Sequence, residues 1–451
     1  MTRREMLLRS ATGAATSATI PAFLGQTFFG LDANAQTIGT DGSDGPITVV
    51  IQLSGGNDGL NTVIPLNGSD SRIYYDERPN LAIPEELVLP LAGQPDFGLH
   101  PALTNLQQLW QTGELAIVQG VGYPNPNLSH FKSFDFWHTA QPNTVASSGW
   151  LGRFFDHECS GSGDGCGQAS GINISSTRNL AFAANDSNAS IATENPPDFG
   201  WKSGGAPGSE PEIERVFRKM VGLDRRTRAT STEKEALAYV QRITHAALIG
   251  ASTIGEALEN LDGKTFPHAE FPNSSLGQAL RHIASLILGG MQTSVYYADQ
   301  TGYDTHSLQF TLDHNRHPLL GRHAHLLNEL DEAVGAFASE MRAQGQWDRV
   351  LGFTFSEFGR KVIENGSHGT DHGAASCLFV FGGQVKGGMY GELPSLKEED
   401  RIKNHGLEHH IDFRRVYRTV LQNWLGVPSS RVSDVLPTAP VDGKFDPVPF
   451  I

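Results

Sequence analysis

Eight consecutive residues, Pro46-Ile47-Thr48-Val49-Val50-Ile51-Gln52-Leu53, are mostly β-branched and almost continuously apolar, and they stop at Ser54-Gly55-Gly56-Asn57-Asp58-Gly59. A strand that is apolar on both faces has to be covered on both faces. That restricts it to the inside of a sheet sandwiched between helices. Comparable short runs recur at Leu115–Gly120, Thr293–Ala298, Val350–Phe355 and Cys377–Phe381. Between and after them lie segments of helical periodicity. These are His100–Gly113 (Leu103, Leu106, Leu109), Leu276–Leu288, Leu319–Arg342 (Leu320, Leu327, Leu330, Val334, Phe337, Met341) and Phe413–Leu425. The alternation predicts an α/β chain, a three-layer α/β/α sandwich around a mostly parallel central sheet.

In such a sheet, ligands gather beyond the carboxyl ends of the strands. Acids and histidines cluster there in this sequence. Asp58 follows the first strand, and Asp304 and His306 stand in Gly302-Tyr303-Asp304-Thr305-His306. Glu357 ends the Val350–Phe355 run, and Asp371 and His372 stand in Gly369-Thr370-Asp371-His372-Gly373. Carboxylates and imidazoles are the donors that borderline divalent metals prefer, and a hydroxyl beside such a metal becomes nucleophilic. Ser129 is the hydroxyl candidate. It opens a helical segment, Ser129 to Trp137, whose first N–H groups favour an alkoxide or a bound anion. Each residue also has a plainer use: Ser129 as a helix cap, Asp58 as a turn former, Glu357 as an ion-pair partner of Arg360, His372 as a satisfied core histidine.

Thr2-Arg3-Arg4-Glu5-Met6-Leu7, an Ala/Thr-rich stretch from Ser10 to Gly25 and Ala33-Asn34-Ala35 have the order of a twin-arginine signal peptide. Residues 1–35 are expected to be removed by the twin-arginine export route, leaving a periplasmic or extracellular protein over 36–451. No other stretch is apolar enough to span a bilayer. The net charge is −15 at pH 7, and losing Arg3, Arg4 and Arg9 with Glu5 and Asp32 makes the balance one unit more acidic. A nucleic-acid backbone is thereby excluded as the main partner. Of the three cysteines, Cys159 and Cys166 bracket a Gly/Ser loop and are placed to pair in an oxidising compartment, while Cys377 reads as a buried thiol. Residues 141–290 are the least regular. They include helical segments at Glu210–Leu223 and Thr232–Leu261 and read as an insertion or cap. His405, His409 and His410 form a further cluster with no assigned role.

The order of VVIQLSGGNDGLNTVIPL, YYDERPNLAIP, SGWLGRFFD, GYDTHS, SEFGRKVIENGSHGTDHGAA and VKGGMYGELP resembles the exported DUF1501 family of the alkaline phosphatase-like superfamily, over about residues 46–425. The resemblance implies that Asp58 is a metal ligand and Ser129 the nucleophile, with Lys132 binding the anion. Asp304 and His306 resemble the pair of one metal site. His372 resembles a last metal histidine, with either Glu357 or Asp371 completing the set. It further implies one or two divalent ions (zinc, manganese or calcium) and hydrolysis of a phosphate ester in preference to a sulfate ester. Ser129-His130-Phe131-Lys132-Ser133 lacks the pattern that sulfatases convert to formylglycine. The alternative is an exported binding or assembly protein that keeps the fold. Its partner would be an extracellular polymer rather than a small anionic ester.

Overall fold

The computed structural model describes residues 45–159, 169–176, 178–184, 190–199, 250–261, 266, 268–310, 320–402, 406–437 and 445–451. The strands of its central sheet, in chain order, are β1 (Ile47–Ser54), β2 (Leu115–Gly122), β3 (Gly171–Ile174), β4 (Ser190–Ala192), β5 (Val295–Thr301), β6 (Val350–Phe355), β7 (Ser376–Phe381), β8 (Gly388–Tyr390) and β9 (Ile411–Asp412). Their spatial order is β8-β2-β7-β6-β1-β5-β3-β4, with β9 also on β2. β1 lies between β5 and β6 and is parallel to both. The alternation of its side chains explains its composition. Ile47, Val49, Ile51 and Leu53 face one core and Val50 faces the other.

Helices cover both faces. α1 (Gly68–Glu77) precedes the layers proper. α2 (Thr104–Gln111), α5 (Ser275–Leu288) and α6 (Arg322–Ala343) pack on the first core, whereas α3 (His130–Thr139), α4 (Trp150–Cys159) and α7 (Phe413–Thr419) pack on the second. The molecule is thus an α/β/α sandwich on a mixed, mostly parallel sheet. β7 is the reversed strand, antiparallel to β2 and β6. The chain between β6 and β7 forms a small hairpin of Arg360–Glu364 against Thr370–His372 instead of a crossover helix. Without that helix, β7 returns antiparallel.

Two expectations need amending. Residues 141–290 do not form a separate cap where they are described, because β3 and β4 extend the central sheet beside β5. α4 and α5 likewise belong to the two cores. The helices expected at Glu210–Leu223 and over most of Thr232–Leu261 lie outside the described residues, as do the export segment, Cys166 and His405. The closing helix expected over Phe413–Leu425 widens after Thr419 into a π turn, Val420–Trp424. Cys377 is a buried free thiol. No described helix is long and apolar enough to cross a membrane.

Candidate metal centre at the strand ends

The carboxyl ends of β1, β2, β5 and β6 point the same way, and reversal of β7 brings its amino end to the same edge. Loops from all of them meet there. β1 leaves through Gly55 and Gly56, at φ +127° and +85°. A Cβ on Gly55 would lie 2.2 Å from the Asp304 nitrogen, and one on Gly56 would lie 2.6 Å from the Phe358 ring. Glycine is required at both positions by conformation and by space.

Arg360 threads this loop. Its Nε donates to the Gly56 carbonyl (2.7 Å), Nη1 to the Thr370 carbonyl (2.8 Å), and Nη2 to the carbonyls of Gly55 and Tyr303. Nη2 also bonds Asp304 Oδ1 at 2.8 Å. Arg360 therefore pairs with Asp304 and not with Glu357. Burial acts to raise the Asp304 carboxyl, but the bonds from Arg360 and His372 and the Arg360 charge outweigh it, holding the group at about 2.

Three imidazoles converge on that carboxylate. His372 Nε2 lies 3.1 Å from Asp304 Oδ1, His306 Nε2 lies 3.3 Å from it, and His130 Nε2 lies 3.4 Å from Oδ2. The two Nε2 atoms of His306 and His372 are 2.9 Å apart. Every ring has an oxygen on its other nitrogen. His372 Nδ1 meets the Leu128 carbonyl (2.8 Å), His130 Nδ1 meets Glu357 Oε1 (2.6 Å), and His306 Nδ1 meets Asp371 Oδ1 (3.5 Å). The ligand atoms of His130, Asp304 and His372 all lie within 4.8 Å of one another. Phe358 packs under two of the rings, its centroid 4.9 Å from that of His130 and 4.4 Å from that of His372.

A carbonyl oxygen can only accept. The Leu128 contact therefore puts the His372 proton on Nδ1 and leaves a lone pair at Nε2. Burial lowers the His372 pKa, so the ring resists a second proton. Its lone pair faces a carboxylate oxygen and another imidazole, an arrangement that a bound cation satisfies. The residues present thus fit a divalent metal.

Glu357 stands behind this centre. Its carboxylate is buried and accepts from the Gly55 N–H (2.9 Å) as well as meeting His130. Its own carbonyl takes the Ser133 hydroxyl (2.5 Å) and the Trp137 Nε1–H (2.9 Å). The bond to Glu357 raises the His130 pKa, more than burial lowers it. Asp371 plays a similar outer part, meeting His306, Lys361 (3.4 Å) and Asn365 (3.2 Å).

Asp58 is placed apart from the three imidazoles. It is buried, and its Oδ2 accepts from Arg78 Nη1 (2.7 Å) and Gln309 Nε2 (2.5 Å). Ser129 is exposed at the N-cap of α3, and its hydroxyl makes no capping bond. Its neighbours in sequence both touch the centre, Leu128 through its carbonyl and His130 through its ring. Lys132 is exposed on the first turn of α3 and makes no ion pair among the described residues. His409 and His410 lie elsewhere, beside β9.

His130 and Phe358 belong to the site and were not singled out from the sequence, and Arg360 was named there only as a partner for Glu357. A signal for His130 was present: His130, Ser133 and Trp137 share one face of a helix, and all three touch Glu357.

Residues 279–436 match the family described as "Protein of unknown function (DUF1501)". No curated protein matches the chain. Among solved structures, the chain is similar to a protein in the alkaline phosphatase superfamily from Vibrio parahaemolyticus (9% identity, 86% of this chain and 71% of that chain, TM-score 0.31). It is also similar to a sulfatase from Pseudoalteromonas sp. (11%, 90% and 71%, TM-score 0.35). A third is a phosphonate monoester hydrolase from Silicibacter pomeroyi (9%, 88% and 78%, TM-score 0.34).

Proposed function

We propose that this chain, whose residues 279–436 match the DUF1501 family, is an exported metal-dependent hydrolase of phosphate esters. The observation that carries the reading is the convergence of three imidazole Nε2 atoms on Asp304, each ring held from behind at Nδ1. That outer layer of acceptors is how proteins orient metal-binding histidines. His130, His306, His372 and Asp304 would hold the ion. A donor set of three nitrogens and one carboxylate favours zinc over calcium, which takes oxygen ligands. When bound, such an ion supplies Lewis-acid polarisation of a phosphoryl oxygen and lowers the pKa of a neighbouring hydroxyl.

The chain's own residues do the rest. Ser129 offers an uncapped, exposed hydroxyl at the amino end of α3, where backbone N–H groups and the helix dipole favour developing negative charge. Lys132, on the first turn of the same helix, adds a mobile positive charge for the substrate's oxygens. Arg360 fixes Asp304 from beneath, and Glu357 fixes His130.

The test is elemental analysis of the mature protein with a screen of phosphate and sulfate esters, on wild type, Asp304→Asn and Ser129→Ala. The reading expects stoichiometric metal in wild type, its loss in Asp304→Asn, and loss of turnover with metal retained in Ser129→Ala. Folded wild type without metal would overturn it. Bound metal with no turnover of any ester would instead favour the exported binding protein.

A further inference from the structure

Resting on that reading, we propose that the site is mononuclear, because a guanidinium, that of Arg78, occupies the place at Asp58 where a second cation would sit. Asp58 follows the first strand, beyond Gly55 and Gly56, at the position that the family resemblance assigned to a metal. Arg78 is the residue that follows α1, and it is fully buried. Nη1 donates to Asp58 Oδ2 (2.7 Å) and to Asn61 Oδ1 (2.6 Å), Nε to the Val362 carbonyl (2.8 Å), and Nη2 to the Lys361 carbonyl (2.8 Å). Asn61 is itself held by the Tyr74 hydroxyl (2.9 Å). The guanidinium is anchored at every nitrogen, so it is a fixed part of the structure and not a side chain that an ion could push aside.

The charge balance points the same way. Asp58 and Arg78 neutralise each other. Around them lie Asn57, Asn61, Thr62 and Gln309, which carry no charge, and His100 and His323, whose pKa values burial lowers to about 3 and about 4. A divalent ion added here would leave two positive charges uncompensated in a region without solvent, which is strongly unfavourable. Asp58 Oδ1 has no hydrogen-bond partner. Yet no second trio of acid, imidazole or thiol ligand atoms gathers around it among the described residues.

Arg78 has a second consequence. By gripping the carbonyls of Lys361 and Val362, it fixes the strand that begins at Arg360, the residue beneath Asp304. The internal cation thus holds the metal-binding carboxylate in register whether or not metal is supplied.

The experiment counts ions. Native mass spectrometry and elemental analysis are run on wild type, Asp58→Asn and Asp304→Asn after exposure to zinc and removal of loosely bound ions, with Tm recorded for each. The proposal expects one ion per chain in wild type, the same in Asp58→Asn with a lower Tm, and none in Asp304→Asn. Two ions in wild type, or loss of an ion in folded Asp58→Asn, overturns it while leaving the metal-dependent reading in place. No ion in wild type overturns the metal-dependent reading itself, and this inference with it. Should Asp58→Asn fail to fold, the wild-type count alone decides between one ion and two.

Discussion

A neutral imidazole can offer a lone pair at Nε2 only while its proton sits on Nδ1, and Glu357 enforces that choice at His130. In Glu357→Leu the oxygen that meets both the Gly55 N–H (2.9 Å) and His130 Nδ1 (2.6 Å), Oε1, is lost. With no acceptor at Nδ1 the ring is free to carry its proton on Nε2 or to turn away, and either removes the Nε2 lone pair from the centre. We expect zinc affinity to fall about 10–100-fold with the fold retained, measured by competition with a chelator. Unchanged affinity would show that His130 is not a ligand. A second residue-scale prediction concerns acid. Burial lowers the pKa of His138 and His100 to about 3 in the folded protein. Above the unfolded value of about 6.5 neither state is charged and these residues are neutral in effect. As pH falls below it, the unfolded chain takes up protons that the folded one refuses. Stability therefore drops by about 1.4 kcal/mol per pH unit for each such histidine, until the folded pKa is reached. Asp58 and Asp304 have folded pKa values below the usual 3.8, so their contribution is complete above that value and is lost only in stronger acid. Urea midpoints taken between neutral pH and about 5 isolate the histidines. His138→Gln should flatten the slope by one proton, and an unchanged slope would remove His138 as a cause.

At the scale of elements, the site depends on how closely the β1 and β5 loops approach. Gly55→Ala would put a methyl group against the Asp304 backbone at a φ that L-residues rarely adopt. The strain, of the order of 1–3 kcal/mol, falls on the loop that carries Asp304. Lower Tm together with weaker metal binding is expected, and wild-type values for both would show that the loop can relax freely. The same scale explains what could be read from the sequence. β1, β2, β5, β6 and β7 stand where their apolar runs predicted them, because burial on both faces is written locally in each strand. Asp304, His306 and His372 were legible as acid and imidazole at strand ends, and the structure brings them together. Asp58 was legible as a strand-end acid, but its partner Arg78 comes from the end of α1 and its neighbour Gln309 from beyond β5. Glu357 was likewise visible, although its position behind His130 follows from the docking of α3, a long-range contact. The strands β3 and β4 are short and sit in an Asn/Ser/Ala-rich stretch, so their addition to the sheet edge had no comparable local signal.

For the whole molecule, the candidate metal centre is where otherwise independent segments are joined. His130 comes from the first turn of α3, which follows the loop after β2, Asp304 and His306 from the loop after β5, and His372 from the hairpin before β7. Two of these connections, the stretch after β2 and the hairpin, are half-exposed and lack sheet pairing of their own to the core. The strands β2 and β6 beneath them are buried throughout and are held by sheet pairing and the two cores. A bound ion should therefore act locally, stabilising what it bridges and leaving the cores as they are. At a free metal concentration about 100 times the dissociation constant, the linkage gain is about 2.7 kcal/mol, which bounds the protection at roughly 100-fold. Amide hydrogen exchange with zinc and with chelator should differ at residues 123–130, 302–308 and 360–375, and should agree within β1, β6 and α6. An equal change throughout the sheet would mean that the ion holds the fold as a whole. No change in the three segments would mean that the imidazoles do not bind the ion, and the assignment of the centre would have to be given up.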